Sequence, residues 1–194
     1  MRERKFAVTR GLTSADHERA VSYLSQTRDN VLRATSGLSP AQLQFKPAPG
    51  RWSVAECLEH IVAVEHRVLD GIANALQQPA DSAKRSAFDG RDDELLQVVT
   101  DRSNPRQASE AIHPSNRWPH HQLIPEFQAT RKRSIDLAAN TGFRLRQHFF
   151  AHRAFGELDC YQWMLLVAGH GDRHRAQIDE VLAAPNFPRA AAAV

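Results

Sequence analysis

Apolar positions recur with a helical period in four long stretches of the chain. In the first, from about Thr13 to Ser36, Val21, Leu24, Val31 and Leu32 fall near one face and Gly37 supplies a stop. The second opens where Ser53 and Glu56 form an S-x-x-E capping box, an arrangement that satisfies two orphan backbone donors. From there Cys57, His60, Ile61, Val64, Val68, Ile72 and Ala75 share one broad face, and the pattern fades before Pro79. The third is expected to open near Pro125, a favoured first-turn residue, and to run through Phe127, Ile135 and Ala138 to Gly142. The fourth follows a D-x-x-Q cap, Asp159 and Gln162, and carries Trp163, Leu166, Val167, His170, His174, Ile178 and Val181 before Pro185 and Pro188 end it.

Two connecting regions differ. Leu38 to Arg51 holds Pro40, Pro47, Pro49 and Gly50, so no long helix fits, while Leu38, Leu43 and Phe45 are placed to pack back onto the helices. Residues 79–123 are polar, with prolines at 105, 114 and 119, and read as a long insertion containing a short helix over Arg91 to Thr100. No window alternates with period two and no internal repeat appears. The expectation is one all-α domain over 1–194, a four-helix bundle with a long polar insertion between its second and third helices. Residues 1–12 and 184–194 are expected to be loose tails.

Composition narrows the chemistry. The 194 residues carry 25 Lys plus Arg against 22 Asp plus Glu, too small a surplus to argue for nucleic acid, although 21 of the 25 are Arg. The basic start, Met1 to Arg10, is followed by no apolar run of the secretory kind, and Tyr161 to Ala168 is far short of the roughly 20 residues a membrane helix needs. A cytoplasmic protein with no nucleic-acid or membrane partner is the expectation. Two cysteines exclude a disulfide scaffold, and no C-x-x-C is present.

Ten histidines remain, so any metal site would be built from histidine and carboxylate. His170 and His174 are four apart, about 40° around a helix, and project from one face a turn apart. His148 and His152 share that spacing, but Gly156 interrupts any helix that would pair them. Position is more informative than spacing. His170 and His174 interrupt the apolar stripe between Val167 and Ile178, and His60 does the same between Cys57 and Val64. Imidazoles pointing into a bundle interior need hydrogen-bond partners or a shared cation. The others read as unremarkable: His17 on an outer face, His66 solvated, and His113, His120 and His121 in the insertion. H-E-x-x-H is absent, and the only E-x-x-H, Glu110 to His113, runs into Pro114.

The stretch Gly37-Leu38-Ser39-Pro40, then Lys46-Pro47-Ala48-Pro49-Gly50-Arg51-Trp52-Ser53-Val54-Ala55-Glu56-Cys57-Leu58-Glu59-His60-Ile61, resembles the DinB/YfiT-like superfamily. So does His152-Arg153-Ala154-Phe155-Gly156-Glu157-Leu158, with Gln162-Trp163 and His170 to His174 followed by Gln177-Ile178. The resemblance implies a four-helix bundle, often a homodimer, holding a divalent metal on His60, His170 and His174. Members of that superfamily include thiol-dependent S-transferases and isomerases as well as metal-dependent hydrolases, so the resemblance further implies a metal-dependent hydrolase or a thiol S-transferase. Gly169 and Gly171 depart from an ordinary helix, each costing about 1 kcal/mol against Ala, and either permit close backbone approach or weaken the helix. The insertion aligns with no family pattern, so substrate class does not transfer.

Three neutral imidazoles leave a coordination position open, as catalytic sites do. The imidazole set suits Zn, Ni, Cu or Fe and does not choose among them, with Zn or Ni the expected ion; activation of water or of a low-molecular-weight thiol cosubstrate, acting on a small-molecule substrate, is the leading expectation. Glu56 lies one turn before His60 and is a candidate base, although the capping box is the favoured role for its carboxylate. Gln177, three residues after His174, is placed to orient a ligand or to pack as an amide. Cys57 reads as a small buried hydrophobe rather than a fourth ligand. Trp52, Trp163 and Trp118 are candidates to line a pocket, with ordinary core packing the favoured role for the first two. The rival class is a non-enzymatic dimeric bundle that binds a metal or ligand in a sensor or stress role.

Overall fold

Thr13, Ser39, Ser53 and Asp159 each open a helix through a reciprocal capping box, closed respectively by Asp16, Gln42, Glu56 and Gln162. A computed structural model describes residues 11–103, 107–140 and 144–188. Four long helices dominate it: α1 (Ser14–Thr35), α3 (Val54–Leu76), α5 (His120–Asn140) and α6 (Cys160–Leu182). Two short ones accompany them, α2 (Pro40–Gln44) in the proline-rich connector and α4 (Asp92–Thr100) in the insertion. In the bundle α1 and α3 each pack against both α5 and α6. Consecutive long helices α1 and α3 therefore sit on a diagonal, and the 36–53 connector crosses the end of the bundle, with Leu38, Leu43 and Phe45 packed as expected.

Several sequence expectations need correction. The third long helix begins at His120, not near Pro125, which falls inside it. The insertion accordingly ends at 119, and much of it is ordered: Leu95 and Val99 of α4 are buried against α6. A two-stranded antiparallel hairpin, β1 (Phe149–His152) and β2 (Gly156–Asp159), precedes α6, with Phe150 opposite Leu158. Four-residue strands are too short for period-two alternation to show. The Phe150 ring lies on Gly71 of α3 and stacks on Trp163 at 4.2 Å. Trp163 itself is buried, as expected, and donates from its indole N–H to the Phe150 carbonyl.

The packed region also reaches into segments expected to be loose. Leu12 packs on the core, Phe187 meets Phe45 edge-on, and Gln42 donates to the Pro188 carbonyl. Gly142, the expected stop of the third helix, lies outside the described residues, as do 1–10 and 189–194 of the tails.

Two histidines expected to be unremarkable close helix ends. The final carbonyls of a helix lack intrahelical donors. Nδ1 of His17 lies 2.7 Å from the Ala138 carbonyl in the last turn of α5, and Nδ1 of His148 lies 3.0 Å from that of Ala75 in the last turn of α3. His17 is thus not on an outer face. His66 is not solvated either: it is half-buried, bonded to Glu126 and Thr130, and stacked on Trp118.

At the centre of the bundle Arg131 and Glu65 form a fully buried ion pair at 2.8 Å. Ser134 donates to the same carboxylate, and Arg131 donates to Thr27 and to the Leu24 carbonyl. The glycines of α6 make room for neighbours. A Cβ on Gly169 would lie 3.2 Å from Val99 of α4, and one on Gly171 would lie 3.2 Å from the Arg131 guanidinium. Close approach, rather than a weakened helix, accounts for both.

Candidate metal centre

Because α3 and α6 are neighbours, the histidines interrupting their apolar stripes meet. Nε2 of His170 is 3.1 Å from Nε2 of His60, and one ring nitrogen from each of His60, His170 and His174 lies within 4.8 Å of the others. His60 and His174 are buried, while His170 is partly exposed. Nitrogens bound tetrahedrally at zinc-like bond lengths stand about 3.3 Å apart, so the His60–His170 spacing fits a shared divalent ion.

Proton placement favours the same use. Nδ1 of His60 lies 2.7 Å from the Ile112 carbonyl, an acceptor only, so that nitrogen carries the hydrogen and Nε2 presents its lone pair to the cluster. Nδ1 of His174 is 3.0 Å from Oε1 of Gln177, which leaves its Nε2 free in the same way. A metal-binding imidazole is ordinarily oriented by a hydrogen bond from its other nitrogen. Burial, assisted by the nearby Arg117 guanidinium, pushes the pKa of His60 down to about 4. Burial does the same to His170 and His174, together with repulsion among the three rings and from Arg173. All three are held neutral at neutral pH, so each ring keeps one unprotonated nitrogen.

The other residues singled out from the sequence fall as follows. Glu56 sits in its capping box: it accepts from the Ser53 N–H at 2.8 Å and from Lys46 at 2.7 Å, so both carboxylate oxygens are engaged. Burial works to raise its pKa, but the bonds from Lys46 and Ser53 outweigh that and hold it below the usual range. Gln177 bears on His174 as described. Cys57 is wholly buried, and burial pushes its thiol pKa well up, as suits a small hydrophobe.

Four contributors escaped sequence reasoning. Trp52, for which core packing is favoured over pocket lining from the sequence, covers the cluster, with ring centroids 4.9 Å from His60 and 5.9 Å from His174, nearly parallel to the latter. His113 meets Trp52 edge-on. Ile112 contributes its carbonyl, and Glu59 anchors the segment carrying it. The only local signal was the adjacency of Trp52 to the Ser53 cap and of Glu59 to His60; the rest depends on how the insertion folds back.

A bundle of this topology with three convergent histidines on adjacent helices defines a class, and comparison with known proteins agrees. The DinB superfamily model matches residues 23–178, and the chain belongs to that superfamily. It is 26% identical over 167 residues to the uncharacterized protein YuaE of Bacillus subtilis (strain 168), a match covering 83% of this chain and 96% of YuaE. Among solved structures it resembles YfiT from Bacillus subtilis, with a TM-score of 0.58 and 12% identity over 93% of this chain and 91% of that one. YfiT is described as a probable metal-dependent hydrolase with an unusual four-helix bundle topology. At that identity the likeness shows the fold.

Proposed function

We propose that the chain is a divalent-metal-dependent enzyme of the DinB type, a hydrolase or thiol S-transferase acting on a small molecule. The observation that carries this reading is the convergence of three neutral imidazoles, two of them with Nδ1 committed to a partner so that Nε2 faces the cluster. His60, His170 and His174 would hold the ion; three imidazoles suit Zn, Ni, Cu or Fe alike, and Zn or Ni is the occupant proposed. Bound there, a divalent ion supplies Lewis acidity that favours the deprotonated form of water or of a low-molecular-weight thiol.

The chain's own residues shape what reaches the ion. Ile112 and Gln177 fix two of the rings, and Trp52 closes one side with an apolar face. Glu56 enters this reading as a base only if it leaves its bonds to Ser53 and Lys46. Both cysteines are free and buried, which suits a compartment with reduced thiols, and no helix among the described residues is long and apolar enough to cross a membrane. A cytoplasmic homodimer completes the proposal.

The test is a panel of ester and amide hydrolysis and thiol-transfer assays on metal-loaded wild type and His170→Ala. Activity confined to the wild type supports the enzyme. A metal-loaded wild type as inert as the variant across the panel overturns it, leaving a metal-binding module.

A further inference from the structure

Glu59 is adjacent in sequence to His60, and its side chain is 3% exposed. A carboxylate that deep is costly unless its lone pairs are satisfied. They are satisfied by the insertion. The backbone N–H groups of Ser115 (2.7 Å), Asn116 (3.0 Å) and Arg117 (3.2 Å) all donate to it, joined by the Arg117 guanidinium at 3.4 Å. Three successive amides converge on one acid because Asn116 adopts a left-handed conformation, φ 60°. Arg117 also donates to the Ala111 carbonyl, closing the segment on itself.

This segment has little apolar anchoring of its own. His113, Ser115, Asn116 and Arg117 are exposed, and only Ile112, Pro114 and Trp118 are partly covered. Yet it presents the Ile112 carbonyl to Nδ1 of His60, the contact that sets which nitrogen of that ring faces His170 and His174.

We infer that Glu59 is a positioning residue of the metal centre: it clamps residues 111–117 onto α3 so that the Ile112 carbonyl holds His60 ready for the ion. The inference rests on the reading of His60, His170 and His174 as metal ligands. It makes part of the insertion integral to the site.

The test compares the full-length wild type with Glu59→Ala and Glu59→Gln. The Gln variant is nearly isosteric but turns one acceptor toward the amides into a donor. Amide hydrogen exchange of metal-free protein should rise at residues 112–117 in both variants, with the exchange of α1, α5 and α6 unchanged. Zn2+ affinity, measured by competition with a chromophoric chelator, should fall by roughly 10- to 100-fold, the usual cost of losing support for a ligand. Glu126→Gln, which alters the His66 pair instead, should bind within about twofold of wild type. If Glu59→Ala fails to fold, Glu59→Gln decides the matter. Wild-type affinity in a folded Glu59 variant, or unchanged exchange at 112–117, overturns the role of Glu59 alone. A wild type that binds no Zn2+ overturns the metal centre and this role with it.

Discussion

Nε2 of His60 and Nε2 of His170 stand 3.1 Å apart although 110 positions separate them in the chain. His60 has its hydrogen on Nδ1, held by the Ile112 carbonyl, so the two nitrogens need a proton or a cation between them. A neutral His170 meets that need when its own hydrogen sits on Nε2 and is donated to His60, a bond that involves no charged ring. A shared divalent ion would instead engage all three rings at once, His174 included.

The burial of His60 has a consequence for stability. His60 titrates at about 4 when folded against 6.5 in the unfolded chain, so between those values the unfolded state binds a proton that the folded state refuses. Metal-free protein should therefore lose stability as pH falls from about 6.5 to about 4, by roughly 3 kcal/mol from His60. His170 and His174 act in the same direction. Asp159, raised to about 6 chiefly by burial, opposes them from about pH 6 downward, over most of that window, so the share due to His60 is read from its own variant. Urea unfolding at neutral pH and near pH 5 measures the loss, and His60→Gln should reduce its slope. A slope unchanged by that substitution would contradict the neutral, buried state of His60.

Trp52 should report the ion optically. It lies against His60 and His174, whereas Trp118 stacks on His66 and Trp163 on Phe150. Adding Ni2+ or Cu2+ should quench part of the tryptophan emission of wild type. Trp52→Phe should bind the ion, by chelator competition, with most of the quenching gone. Equal quenching in that variant would place the ion elsewhere.

The Glu65–Arg131 pair is fully buried, so removing either partner strands a charge. Glu65→Leu or Arg131→Met alone should cost about 3–5 kcal/mol in urea unfolding. The double variant should cost far less than the sum. Additive losses would show that the two groups do not depend on each other.

Gly71 is a helical glycine that should not tolerate alanine. A Cβ there would lie 2.6 Å from the Phe150 ring, which is backed by Trp163. The overpacking, about 1–3 kcal/mol, outweighs the gain of about 1 kcal/mol in helix propensity. Thermal unfolding of Gly71→Ala should shift downward; an upward shift would mean that the hairpin moves freely off α3.

The legible parts of this molecule were those written in local pattern. The Ser53–Glu56 and Asp159–Gln162 boxes act within four residues, and the polar interruptions at His60, His170 and His174 stand out within their own helices. The start of α5 is not legible locally, because Pro125 carries a strong first-turn signal while the helix begins at His120 and runs through it. The hairpin escaped because neither strand is long enough to alternate. Trp52, Ile112 and Glu59 escaped as site residues for a different reason. Their roles arise when the insertion folds back on α3, and Ile112 acts through a backbone atom whose identity no side chain encodes.

Metal content tests the central claim most directly. Protein purified without an affinity tag, and analysed as isolated and after reconstitution, should hold close to one divalent ion per chain. His60→Ala, His170→Ala and His174→Ala should each lose most of it while keeping the helical circular-dichroism signal. Fewer than about 0.2 equivalents in the wild type with no gain on reconstitution, or full occupancy in all three variants, would contradict the account.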